Sequence, residues 1–175
     1  AKAFKPGLQP SDGRIETYIF VEPTVSPSTT NLPIIVVDTL GVSIPNDSVN
    51  KPYIDCRVVI VDTDQATGRA QVTGPEHFGG IGQIRFRGES TYGKGHYALE
   101  IQDEYGQDKK VSLLGMPAES DWVLSYDVID YTMMKKGIAF KWFRDMGHYA
   151  PRQRYVEVYL NQDGGKIAAA DYLGL

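Results

Sequence analysis

PIIVVDT, residues 33–39, is a continuous apolar run. Such a run is what a strand covered on both faces requires, because neither side chain row meets water. CRVVIVD (56–62) reads the same way. The segments beyond them alternate instead. GQIRFRG sets Ile84 and Phe86 against Arg85 and Arg87, and HYALEIQ sets Tyr97, Leu99 and Ile101 against Ala98 and Glu100. That period of two marks half-covered strands. DWVLSY (121–126) and RYVEVYLN (154–161) complete a sheet of about six strands, and DTDQATGR, QDEYGQDKK and NQDGGK carry the Asp, Asn and Gly that turns need.

One helix interrupts the strands. Met134, Ile138 and Trp142 recur at spacing four between Thr132 and Met146, while Lys135, Lys136, Lys141 and Arg144 fall mostly elsewhere. Thr132 or Asp130 can cap its start and Gly147 its end. Gly137 inside it costs about 1 kcal/mol relative to Ala. The expected architecture is α+β: a mixed sheet of five to seven strands with one main amphipathic helix packed on it through Met134, Ile138, Trp142 and Phe143. On that packing, Ile138→Asp buries a charge and unfolds the domain.

Composition narrows the function. Apolar residues make up 42% and charged residues 23%, the balance of a globular domain. A net charge of -4 argues against a nucleic-acid partner, since phosphates call for a basic surface. Cys56 is the single cysteine, so no internal disulfide or cysteine zinc site can form, and it reads as a small apolar filler in its strand. No apolar run approaches membrane-span length. Residues 1–30 crowd Pro, Ser, Thr and Gly around ETYIFVE and read as an extended linker or an edge strand outside the core, with the domain proper at 31–175.

RGESTYGKGHY (87–97) is the stretch with functional potential. A basic, hydroxylated, glycine-rich loop between strands is either a phosphate cradle or a sharp hairpin. Arg87, Ser90 and Lys94 are the candidate cofactor-binding residues. Arg85 and Arg87 can equally lie on a polar sheet face, paired with Glu100. Asp121, Asp127 and Asp130 cluster before the helix, where Asp130 reads as a helix-start acid and Trp122 as core. Arg152 and Arg154 read as structural, paired with Asp145 or Glu157. Asp38 reads as a turn residue. His96 and His148 suggest no third ligand, so no metal site and no catalytic residue is assigned.

The succession NLPIIVVDTLG, RFRGEST, YALEIQDEYGQD, VSLLGMPAESDWVL, DYTMMKKGIAF, RDMGHYAPRQRYVEVYLN and DYLGL, over residues 31–175, resembles the CotH family of atypical secreted kinases. LLG-x-P-x-x-x-DW, MG-x-YAPR and the strand ending in Asn carry the resemblance. It implies the first lobe of a kinase-like fold, ATP and a divalent metal as cofactors, phosphorylation of Ser or Thr, and a secreted or cell-surface location. The chain departs from the family pattern in YGKGHY, which is shorter and lacks a Pro, and in Met133-Met134-Lys135-Lys136, where the family has Leu-Met-Arg-Asn. The family continues into a second lobe that supplies catalytic and metal-binding acids. The sequence stops at DYLGL, so the expectation is either further protein or a domain that keeps the shape without the chemistry, and this piece alone is expected to hold no ATP tightly. The competing expectation is a non-catalytic extracellular module of a surface layer, appendage or coat, with other coat or extracellular proteins as partners and exposed strand edges as contacts.

Overall fold

A computed structural model describes residues 2–9, 11, 16–46, 50–88, 95–126 and 130–174. The strands are β1 (Thr29–Thr30), β2 (Ile34–Asp38), β3 (Ile54–Val61), β4 (Ala70–Gln71), β5 (Phe78–Arg87), β6 (His96–Gln102), β7 (Asp121–Leu124), β8 (Glu157–Asn161) and β9 (Tyr172–Gly174). The helix α1 spans Lys135–Asp145. Seven strands form one sheet in the order β7-β6-β5-β3-β2-β8-β9, and β1 and β4 pair separately.

The apolar run at 34–37 lies inside the sheet, as its composition requires. β2 runs antiparallel to β3 and parallel to β8, with Val37 opposite Val58 and Leu160. Strand alternation then divides its side chains. Ile35 and Val37 join Cys56, Val58, Ile60, Ile84, Leu99 and Ile101 in one core, whereas Ile34 and Val36 join Val59, Val61 and Tyr159 in a second core on the other face. The seventh strand, β9, pairs antiparallel with β8 across a register irregularity at Val158/Tyr159.

The second core is closed by the amino-terminal segment, which the sequence reading placed outside the core. Val25 is buried there, with Ile19 and Val21 packed beside it. The Glu22 amide donates to the Ile167 carbonyl at 2.9 Å, and the Ile167 amide donates to the Phe20 carbonyl at 2.7 Å. The reason is geometric: Ile34, Val36, Val59 and Val61 project to a face that the helix does not cover, and an extended apolar segment is what remains to cover it.

The helix departs from expectation in orientation. None of its residues is buried. Trp142 is 65% exposed, Phe143 45% and Ile138 41%, so the packing expected through Met134, Ile138, Trp142 and Phe143 is not made. The half-buried positions are Lys136, Gly137, Phe140 and Arg144, which share one face at helical spacing. Lys136 Nζ donates to Ser125 Oγ at 2.8 Å, and the Arg144 guanidinium donates to the Pro151 carbonyl. Hydrogen bonds from the basic stripe anchor the helix, and the apolar stripe is turned outward.

This orientation separates two substitutions. Ile60→Ala, at a fully buried position, is expected to cost about 2–5 kcal/mol in denaturant unfolding. Ile138→Asp is now expected to leave the melting temperature of the dilute chain near that of the parent. Unfolding of Ile138→Asp at room temperature would restore the buried-helix packing.

Candidate functional site

Beneath the first core face lies a cavity of about 330 Å³. That is the lower end of the range typical of small-ligand sites. Its lining spans the sheet, from Tyr97 and Trp122 at the β6-β7 side to Leu173 and Gly174 of β9. Ile35, Ile60, Leu99 and Val158 contribute sheet side chains, and Leu113 and Leu114 close another wall. Cations and one acid stand among these apolar groups: Lys136, Arg152, Arg154 and Asp121.

Leu113 and Leu114 are buried although they lie in a loop. Leu114 takes a positive φ of 52° and Gly115 one of 74°. The tight bend turns both leucines inward and leaves the Leu114 carbonyl to accept Arg154 Nε at 3.1 Å. Arg154 was expected to pair with Asp145 or Glu157. Those acids have other partners: Asp145 pairs with Lys141 at 2.5 Å, and Glu157 accepts the Thr30 hydroxyl. The signal in the sequence was LLGMP itself, two leucines too apolar for a solvated loop, followed by the residues that bend it.

A second latch holds the helix start against the cavity. The Tyr155 hydroxyl donates to the Met133 carbonyl at 2.8 Å, and Met133 has φ 52°. A Cβ on Gly137 would fall 2.5 Å from Gln153 Nε2 and 2.7 Å from the Tyr155 hydroxyl. The helix-breaking residue is therefore where the side-chain ends of Gln153 and Tyr155 come up against the helix surface. Lys136, next to it, is thereby set on the cavity wall.

The Asp130 carboxylate accepts the Lys135 amide at 2.8 Å and the Thr132 hydroxyl at 2.7 Å. Desolvation alone raises its pKa, but the bonds from Thr132 and Lys135, with the Lys135 charge, outweigh it and hold the group at about 2. The helix-start role read from the sequence stands. Asp38 likewise accepts the Leu40 amide at 2.7 Å, the turn role expected of it. Trp122 is half-buried against the first core, and its indole donates to the Glu119 carbonyl at 3.1 Å.

The RGESTYGKGHY stretch joins β5 to β6, whose antiparallel register puts Arg87 opposite His96. It is therefore a hairpin connection. Arg87 is exposed at the end of β5, and alternation places it on the sheet face opposite Phe86 and the cavity. Ser90, Lys94 and Asp127 lie outside the described residues. Gly95 lines the cavity, and a Cβ there would meet Phe86 at 2.3 Å, so the hairpin closes against that ring. Lys51 Nζ fixes the hairpin's other limb, donating to the Gly88 carbonyl at 2.7 Å.

Arg85 does lie on the polar face, but Tyr53 stands between it and Glu100. The guanidinium sits 4.4 Å from the Tyr53 ring centre, and the Tyr53 hydroxyl donates to Glu100. Desolvation, then the bond to Glu100, pushes that phenol up to about 12. Burial likewise pushes the Cys56 thiol to about 12, which keeps it neutral and inert as a core filler. Among the described residues, no group of three or more His, Cys, Asp or Glu is arranged to hold a metal ion.

A family model described as CotH kinase protein matches residues 84–175, more than half of the chain. The chain belongs to the CotH kinase protein family. The match begins in β5 and takes in the hairpin, the helix latch and the strands through β9. No curated protein and no solved structure matches the chain. Among the described residues, no helix is long and apolar enough to cross a membrane.

Two outcomes test this construction. Gly137→Ala should lower the melting temperature, because Gln153 and Tyr155 must move; helix propensity alone predicts a gain of about 1 kcal/mol, so a raised melting temperature would refute the latch. The Asp130 carboxyl should titrate near 2 by carbon-detected NMR, against about 3.9 when unfolded. Its depressed pKa supplies stability above the unfolded value and loses it as pH falls toward 2. A midpoint near 4 in the folded chain would remove the cap.

Proposed function

We propose that the chain is the nucleotide-binding first lobe of a CotH-like kinase, with phosphorylation of Ser or Thr belonging to the full-length protein. The observation that supports this reading most is the cavity. An apolar enclosure lined by Ile35, Leu99, Leu114 and Leu173 suits a flat base, and Lys136, Arg152 and Arg154 on the same lining suit phosphates. Family membership supplies the prior for ATP and a divalent metal. Lys94 and Ser90 of the hairpin are proposed to add contacts to the phosphates, since the hairpin base at Gly95 borders the same cavity. Arg87 would join them only by reaching around the end of its strand. Residues 31–175 are proposed as the family domain and 1–30 as its flanking segment, with a secreted or surface location inferred from the family.

A second reading has an observation of its own. The outward apolar stripe on α1 favours a contact role, as in a non-catalytic extracellular or coat module. The two readings differ in what a nucleotide does. Titration of the chain with Mg-ATP, followed by amide NMR, should shift Gly95, Tyr97, Leu173 and Gly174 together, with affinity on the order of millimolar for this lobe. Lys136→Ala should weaken it. Absence of those shifts at about 10 mM nucleotide would favour the contact module. Micromolar affinity abolished by Lys94→Ala would instead make the hairpin the principal nucleotide site.

A further inference from the structure

A second cavity, of about 220 Å³, opens on the other face of the sheet. Ile34 and Tyr159 line it, whereas their neighbours Ile35 and Val158 line the first cavity, so strand alternation keeps the two apart. Its floor is apolar, made of the buried Ile34, Val72 and Tyr159. Its walls carry one cation, Arg69, and one carboxylate, Glu157. The volume falls below the range typical of drug-sized ligands, so it suits a molecule of single-residue size.

Both charges are held in place by the short strand β1. Arg69 Nε donates to Thr29 Oγ1 at 2.8 Å, and Arg69 Nη2 donates to the Thr29 carbonyl at 2.8 Å. The next residue, Thr30, donates its hydroxyl to Glu157, and the parallel register of β2 with β8 sets Glu157 opposite Ile34 of the floor. Successive threonines thus fix opposite charges on one cavity. Among the described residues, no ion pair joins Arg69 to Glu157 or either one to another side chain. The bonds to Thr29 leave further guanidinium N–H donors, and a carboxylate has more acceptor sites than its hydroxyl partner occupies.

A cation and an anion held apart over an apolar floor match a small molecule that carries both charges. We propose that this cavity binds a free α-amino acid with an apolar side chain. Arg69 holds the α-carboxylate in charge-assisted hydrogen bonds, Glu157 holds the α-ammonium, and the side chain lies on Ile34, Val72 and Tyr159. A neutral sugar would use the hydroxyls of Ser28, Thr29 and Thr30 on the same lining, but would leave both charges without a counter-charge. The site lies apart from the nucleotide reading and does not depend on it.

Amide NMR of the full chain titrated with L-valine, L-leucine and L-methionine tests the proposal. The expected result is saturable shifts at Ala70, Val72, Glu157 and Tyr159 with one or more of the acids, none at Gly95 or Tyr97, and an affinity on the order of millimolar. Ligand analogues then separate the two charges without altering the protein. For whichever acid binds, the N-acetyl derivative lacks the ammonium and the decarboxylated amine lacks the carboxylate; each should bind about tenfold more weakly or worse. Glu157→Gln keeps an acceptor for Thr30 and should show the same loss, as should Arg69→Gln. Absence of shifts with all three acids at about 50 mM, analogues that bind as well as the acid, or an unchanged affinity in Glu157→Gln would overturn the proposal. Saturation of the same amides by glucose or mannose, with no response to the acids, would overturn it in favour of a sugar site.

Discussion

The parallel pairing of β2 with β8 is the contact on which the rest of this structure depends. Parallel neighbours cannot be joined by a tight turn, so everything between Asp38 and Glu157 forms the crossover that brings them together. β3, β5, β6 and β7 extend the sheet from one side of β2, and β9 extends it from β8 on the other. The far end of the pair is pinned by buried polar groups. Asn161 is fully buried; its Oδ1 accepts the Asp163 and Gly164 amides, and its Nδ2 donates to the Gly165 carbonyl at 2.8 Å. The buried Thr39 donates to the Asn161 carbonyl through both its amide and its hydroxyl. The Asn161 side chain fixes the turn that follows β8, and the Thr39 bonds tie β2 to β8 in one register, since a slip would leave the buried Thr39 donors unpaired.

That frame explains where the cavity forms. The first core face is paved by alternate residues of the sheet, and the helix contributes Lys136 to the cavity beside it while its apolar row points away. Polar anchors at Ser125 and Pro151 hold the helix beside the face without filling it. The space left carries apolar walls and cationic side chains together.

Gly137 shows how that orientation is maintained. Its price in helix propensity is offset by the approach of Gln153 and Tyr155, which no residue with a Cβ permits without displacement. The hairpin after β5 depends on a similar approach, with Gly95 against the Phe86 ring. Phe86 and Tyr97 meet edge to face at 6.1 Å, so the hairpin base is aromatic packing as well as a turn.

The amino-acid sequence by itself determined six of the strands, the turn role of Asp38 and the helix-start role of Asp130. Those follow from periodicity and local hydrogen bonding, which act over a few residues. It also carried the family, through motifs such as LLG-x-P and the strand ending in Asn161. Tertiary structure alone decided which face of the helix turned inward, because periodicity names an apolar face without saying what lies opposite it. It decided too that Val25 and Val21 cover the second core, and that Tyr53 separates Arg85 from Glu100. Those outcomes rest on contacts between segments far apart in the chain, whose distances no local pattern records.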